Sequence, residues 1–175
     1  MNFDLEQKEI LDLSDKLDEI HGRSWAKYKG DVINRKVIEF LNRHIGSVHS
    51  LAVGPSVFVE NLPTEFDALI VKEDAHVIPG TNTYKRKDIR LLIEVKKHGF
   101  YFRKIDGNYE IKKYFKQFSD VNLPFIYISV KESRNFIKMT KEILPENSFF
   151  LCISQGKPIT GEWERFVNTV LKLSR

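Results

Sequence analysis

Three charged side chains stand where the surrounding sequence is apolar, and they are the residues best placed to do chemistry. Asp67 sits inside EFDALIVK, and Glu94 and Lys96 close the run IRLLIEVKK. In an extended strand successive side chains alternate between faces, so Leu91, Ile93 and Val95 share one side and Glu94 and Lys96 the other. The carboxylate and the ammonium are then neighbours, roughly 7 Å apart along the strand. Charges in such a place must be paired or bound to a metal, because burying an ionised group alone is costly. If the strand of Asp67 lies beside that of Glu94, the two carboxylates can stand opposite each other. They repel unless a cation lies between them. Oxygen donors with no His or Cys cluster nearby favour Mg2+ or Mn2+ over zinc. The same residues would also serve as a cross-strand ion-pair lattice at a sheet edge.

The elements that must position these residues are legible from period and punctuation. Residues 3–20 carry Ile10, Leu13, Leu17 and Ile20 at helical spacing with acids between them, an amphipathic helix that either packs on the domain or forms a dimer contact. A second helix is expected from Gly30 or Asp31 to His44, with Ile33, Val37, Phe40, Leu41 and His44 on one side. The period then falls to two. Strands are expected near 50–60, 65–72 and 89–97, the first two joined through Asn61-Leu62-Pro63-Thr64. Next come a helix at 109–120, a strand at 124–130, a helix at 132–143, a strand at 148–154 and a closing helix within 160–175. Hairpin-linked strands followed by crossover units imply an α/β fold with a mixed central sheet flanked by helices.

Composition narrows the class further. A chain of 175 residues, 42% hydrophobic and 30% charged, belongs with globular proteins and has the length of one ordinary domain spanning 1–175. No apolar run approaches eighteen residues, so no membrane span is expected. The opening MNFDLEQKEI is too acidic and polar for a signal peptide. The single Cys152, in FFLCIS, reads as a core residue without a disulfide partner. A cytoplasmic location fits these features. Net charge is +4, yet residues 1–20 hold seven acids and two lysines, so the remainder carries about +9. That bias suits a phosphate-rich partner.

Asp67 followed 27 positions later by Glu94-Val95-Lys96 resembles the PD-(D/E)XK signature of the restriction-endonuclease-like superfamily. The order helix, three strands, helix, strand is similar to that superfamily's αβββαβ core, here spanning 30–154 with extra N- and C-terminal helices. Lys29-Gly30-Asp31 opening a helix, then Glu65-Phe66-Asp67 and Ile93-Glu94-Val95-Lys96, resembles more narrowly an uncharacterised prokaryotic family within it. The resemblance implies a metal-dependent nuclease acting on phosphodiester bonds, with DNA as the expected substrate and defence or repair as the setting. It implies that Asp67, Glu94 and the Val95 carbonyl ligate Mg2+ or Mn2+, and that Lys96 positions or activates a water and offsets charge in the transition state.

Two departures bear on that expectation. Phe66 stands where a proline often precedes the aspartate. Many members carry a glutamate on the first core helix, and here Asn34 takes its place. Asn34 lies about 60° from the centre of the apolar face and Glu39 about 160° away, so Glu39 should be solvated and cannot substitute. An amide oxygen can still ligate or orient a water. The lost carboxylate would weaken a second metal site, and it leaves open a catalytically silent nuclease-fold module that binds nucleic acid or a protein partner. Glu65 shares a face with Asp67 and is a supporting candidate. Lys97 and His98 follow the motif as candidate phosphate contacts, with Lys85, Arg86, Lys87, Arg103, Lys104, Lys112, Lys113 and Lys116 as further basic residues. Tyr101, Phe102, Tyr109 and Tyr114 interleave them as stacking contacts would require.

Overall fold

A computed structural model describes residues 2–20, 25–98, 116, 121–154 and 156–175. The chain opens with α1 (Phe3–Asp18) and α2 (Ala26–Ile45). Asn2 caps α1, its side-chain oxygen accepting from the Leu5 amide at 3.1 Å. Nine strands, two short 3-10 helices (Gly46–Val48 and Arg86–Asp88) and the α-helices α3 and α4 follow among the described residues: β1 (Ser50–Val53), β2 (Val57–Val59), β3 (Glu65–Phe66), β4 (Ala68–Lys72), β5 (Thr83–Tyr84), β6 (Ile89–His98), β7 (Phe125–Glu132), α3 (Arg134–Ile143), β8 (Ser148–Ile153), β9 (Lys157–Pro158) and α4 (Glu162–Leu173). The expected mixed α/β class holds. The helix expected at 109–120 lies outside the described residues, apart from Lys116, which is helical and exposed.

Six strands form the main sheet in the order β1-β4-β6-β7-β8-β9. β1, β4 and β6 run antiparallel, β6, β7 and β8 parallel, and β9 antiparallel at the far edge. Alternation along β6 divides the core in two. Leu91, Ile93 and Val95 pack with α1, α2 and α4 through Ile10, Ile33, Val37, Phe40, Trp163 and Phe166. Leu92 packs on the opposite face with Phe66, Leu69, Val71, Tyr127, Phe136 and Phe150. Glu94 and Lys96 follow Leu92 onto that second face, as the period of two requires.

Two expected strands are each broken once. The 50–60 run splits at Gly54-Pro55-Ser56, where Gly54 (φ 152°) and Ser56 (φ 61°) leave the extended region. The 65–72 run splits at Asp67. The detached pieces β3 and β2 pair with β5 in a separate small sheet. α2 starts at Ala26, one turn earlier than Gly30, because Ala26-Lys27-Tyr28-Lys29 holds no helix breaker and Gly30 is tolerated within the helix.

α1 is held by polar groups as well as by its apolar stripe. Glu6 Oε2 accepts from the Trp163 indole at 2.8 Å and lies 2.8 Å from His44 Nε2. Gln7 donates to the carbonyls of Leu151 and Ile159 at 3.2 and 2.9 Å and accepts from the Trp163 amide. Phe3 stacks on His44. These bonds fix the helix's rotation and thereby the position of its last residue, Asp18. Glu6→Ala strands two buried donors, a cost of about 2–3 kcal/mol. In a chain of this length the melting temperature should fall by about 5–10 °C. Thermal denaturation followed by circular dichroism checks this, and a fall under about 2 °C would contradict it.

Candidate active site

The site lies where β6 outruns its neighbour. β4 begins at Ala68, opposite Ile93, so the antiparallel register brings the preceding Asp67 beside Glu94. From Glu94 onward β6 has β4 on neither side, while β7 still pairs with it as far as His98. One edge of a buried strand is thus opened, and Lys96 can reach the gap.

Asp67 closes it. Its Oδ2 accepts from the Val95 amide at 3.0 Å and from Lys96 Nζ at 2.8 Å. The same ammonium forms an ion pair with Glu94 Oε1. One cation therefore bridges two carboxylates that would otherwise repel. Glu94 is 6% exposed, so this pairing is what lets it remain in the interior. Burial works against the charged form of Lys96, but the charges of Glu94 and Asp67 and their hydrogen bonds outweigh it and raise its pKa above the ordinary lysine value. Lys96 is thus a firm ammonium.

The backbone of Asp67 is held from two sides. Asn34 of α2, only 2% exposed, donates its amide to the Asp67 carbonyl. Its own Oδ1 is buried with no hydrogen-bond partner among the described residues. Gly54 packs against the same carbonyl so closely that a Cβ there would lie 2.5 Å from it and 2.8 Å from Ile38 Cδ1. Sequence reasoning missed Gly54, although a Gly-Pro pair inside a strand pattern signals a close approach of backbones. It also missed Tyr127, which stands beside Glu94 in the β6–β7 register and is fully buried. Burial raises its pKa well above the ordinary phenol value, and the charges of Glu132, Glu94 and Asp67 push the same way against a bond from Ser129. It is a neutral phenol. A tyrosine in the otherwise aliphatic run PFIYISV was the available signal.

Asp67, Val95 and Lys96 line a cleft of about 500 Å³, with Glu65, Gly30 and Asp31 on its walls. Glu65 is exposed there. Glu39 is exposed and bonded to Lys36 and Arg43, away from the site. Lys97 and His98 reach the cleft, where both meet Asp18 of α1. Lys85, Arg86 and Lys87 are exposed at the opposite end of β6, roughly 20–25 Å from Lys96 along the strand. Arg103, Lys104, Lys112, Lys113, Tyr101, Phe102, Tyr109 and Tyr114 lie outside the described residues. No helix among the described residues is long and apolar enough to cross a membrane.

No family model and no curated protein sequence matches the chain. Among solved structures, NucC of P. aeruginosa ATCC27853 in its cAAA-bound form has the same fold, with a TM-score of 0.67 at 8% identity over 98% of this chain and 88% of that one. At that identity the likeness is one of fold alone, to a PD-(D/E)XK-type nuclease.

Gly54 offers a test of how the site is built. Gly54→Ala must place a Cβ against the Asp67 carbonyl at a positive φ, a cost of about 2–5 kcal/mol. Gly46 has open space around it and an ordinary helical φ of −56°, so Gly46→Ala should be neutral or stabilising by up to about 1 kcal/mol. Urea denaturation of both variants checks the contrast, and equal stability would contradict the close approach.

Proposed function

We propose that this chain is a divalent-metal-dependent nuclease that hydrolyses phosphodiester bonds, with DNA as its substrate. The observation that carries the reading is the convergence of Asp67, Glu94 and Lys96 on one point, with Asp67 and Lys96 lining an open cleft and Glu94 buried against Lys96. The nuclease fold of the structural neighbour supports it.

The donor set fits one hard cation. Two carboxylates already share a positive charge, and the orphaned Asn34 Oδ1 is a buried acceptor beside Asp67. Asp67, Glu94 and the Val95 carbonyl would hold Mg2+ or Mn2+. Such an ion supplies Lewis-acid stabilisation of the phosphate and a more acidic bound water. Lys96, as an ammonium, donates to the phosphate or to the attacking water and offsets charge developing on the phosphorane-like transition state. The Val95 amide fixes the rotamer of Asp67. Asn34 and Gly54 fix its backbone. Tyr127 fills the space beside Glu94 and keeps bulk water from that side.

A second reading is favoured by one specific observation. At Asn34, α2 brings to the site an amide in place of a carboxylate, and that amide is engaged with the Asp67 carbonyl. The fold would then be a catalytically silent module that holds nucleic acid or a protein partner.

Incubation with plasmid, single-stranded and branched DNA in Mg2+ or Mn2+ separates the two. Cleavage is expected, and Asp67→Asn, Glu94→Gln and Lys96→Ala should each lower its rate by about 10²-fold or more while the protein stays folded. Calorimetric titration should detect Mn2+ binding that is lost in Glu94→Gln. Neither cleavage of any substrate nor metal binding would defeat the enzymatic reading. Asn34→Asp should tighten metal binding.

A further inference from the structure

Next to the proposed cleavage site the cleft holds a second cluster that the chemistry above does not use. Asp18, the last residue of α1, places Oδ1 in an ion pair with Lys97 and 3.1 Å from His98 Nε2. Its Oδ2 accepts from Lys131 at 2.9 Å. Lys97 and His98 are themselves 2.8 Å apart. Lys29, from α2, lines the same cleft with Asp18, Lys97 and His98. Lys97 and His98 of β6 and Lys131 of β7 thus converge on one carboxylate that is 79, 80 and 113 residues away from them in sequence.

Helix stability does not explain Asp18. A negative charge at a helix C-terminus is disfavoured by the macrodipole. The cations explain it. Lys97 is 8% exposed, and a buried ammonium needs an anion. Burial lowers its pKa, with Lys131 and Lys29 pushing the same way and Asp18 opposing. Burial would raise the pKa of Asp18, yet the bonds from Lys131, Lys97 and His98 hold it far below the ordinary carboxylate range. Around Asp18 the side chains of Lys97, His98 and Lys131 gather on one acceptor-only group with two oxygens. Carboxylate and phosphate both meet that description.

We propose that Lys29, Lys97 and His98 form a subsite for a backbone phosphate of the nucleic acid, beside Asp67 and Lys96 in one cleft, and that the Asp18 carboxylate occupies this subsite until a phosphate displaces it. The proposal rests on the nuclease reading and assigns its substrate a second anchoring point. Lys131 stands outside the cleft and holds Asp18 from behind, with Asp15 as its other partner. α1 is therefore a built-in competitor of the substrate, and it exchanges one anion for another without leaving Lys97 unpaired.

Fluorescence anisotropy of the full chain with short labelled oligonucleotides, single-stranded and duplex, in EDTA reads binding apart from cleavage. Asp18→Asn removes the competing charge at constant shape. Affinity should rise about tenfold, and the slope of log affinity against log salt should steepen by about one. Lys29→Gln and Lys97→Gln should weaken binding and flatten that slope by about one. Lys131→Gln loosens Asp18 from outside the cleft and should tighten binding as well, so the test survives if one variant does not fold. Melting temperatures identify the folded variants. Wild-type binding that folded Asp18→Asn and Lys131→Gln leave unchanged or weakened overturns the subsite while the nuclease reading stands. If neither wild type nor any variant binds or cleaves DNA, both fall.

Discussion

One ammonium between two carboxylates organises this molecule. Asp67 and Glu94 come from different strands, and without a positive charge between them their repulsion would drive the end of β6 away from Asp67. Lys96 supplies that charge from the same strand as Glu94, two residues on, where the pleat puts it on the same face. Much of the surrounding architecture serves to make the meeting possible. β4 stops one residue short of Asp67. The small sheet carries β2 and β3 away. Gly54 lets one backbone pass close against the Asp67 carbonyl.

The chain places a polar site at the boundary of two apolar cores, and the boundary is what gives it access. One core lies under α1, α2 and α4, the other between the main sheet, the small sheet and α3. Glu94 is buried on the side of the second core and meets the cleft through its ion pair with Lys96. The elements on either side bring their own anchors. α2 contributes Asn34 to the Asp67 carbonyl, and α1 contributes Asp18 to Lys97, His98 and Lys131. The Glu6–Trp163–His44 contacts that seat α1 are therefore coupled to the cleft through the helix's rigid length.

Much of this was legible in the residues. Alternation in IRLLIEVKK put Glu94 and Lys96 on one face, and the helical wheel correctly turned Glu39 outward and Asn34 inward. The mixed sheet followed from hairpin spacing and crossover units. What the sequence hid is what depends on contacts between distant segments. The 50–60 run reads as one strand because Val53 and Val57 continue the same period, while the break at Gly54 is decided by the Asp67 carbonyl pressing on it. Asp18 reads as one acid among seven in an amphipathic helix, and nothing local marks it as the partner of Lys97. Lys97 itself alternates to the helix-facing side of β6, where a lysine is unexpected until Asp18 is known.

A crystal of the full chain soaked in MnCl2 and measured at the manganese edge puts the shared-cation arrangement to the most direct test. The expected result is an anomalous peak with oxygens of both Asp67 and Glu94 at roughly 2.0–2.2 Å, and with Lys96 Nζ swung from its bridging position toward the cleft. A map with no peak there, and the Asp67–Lys96–Glu94 bridge unaltered, would contradict it.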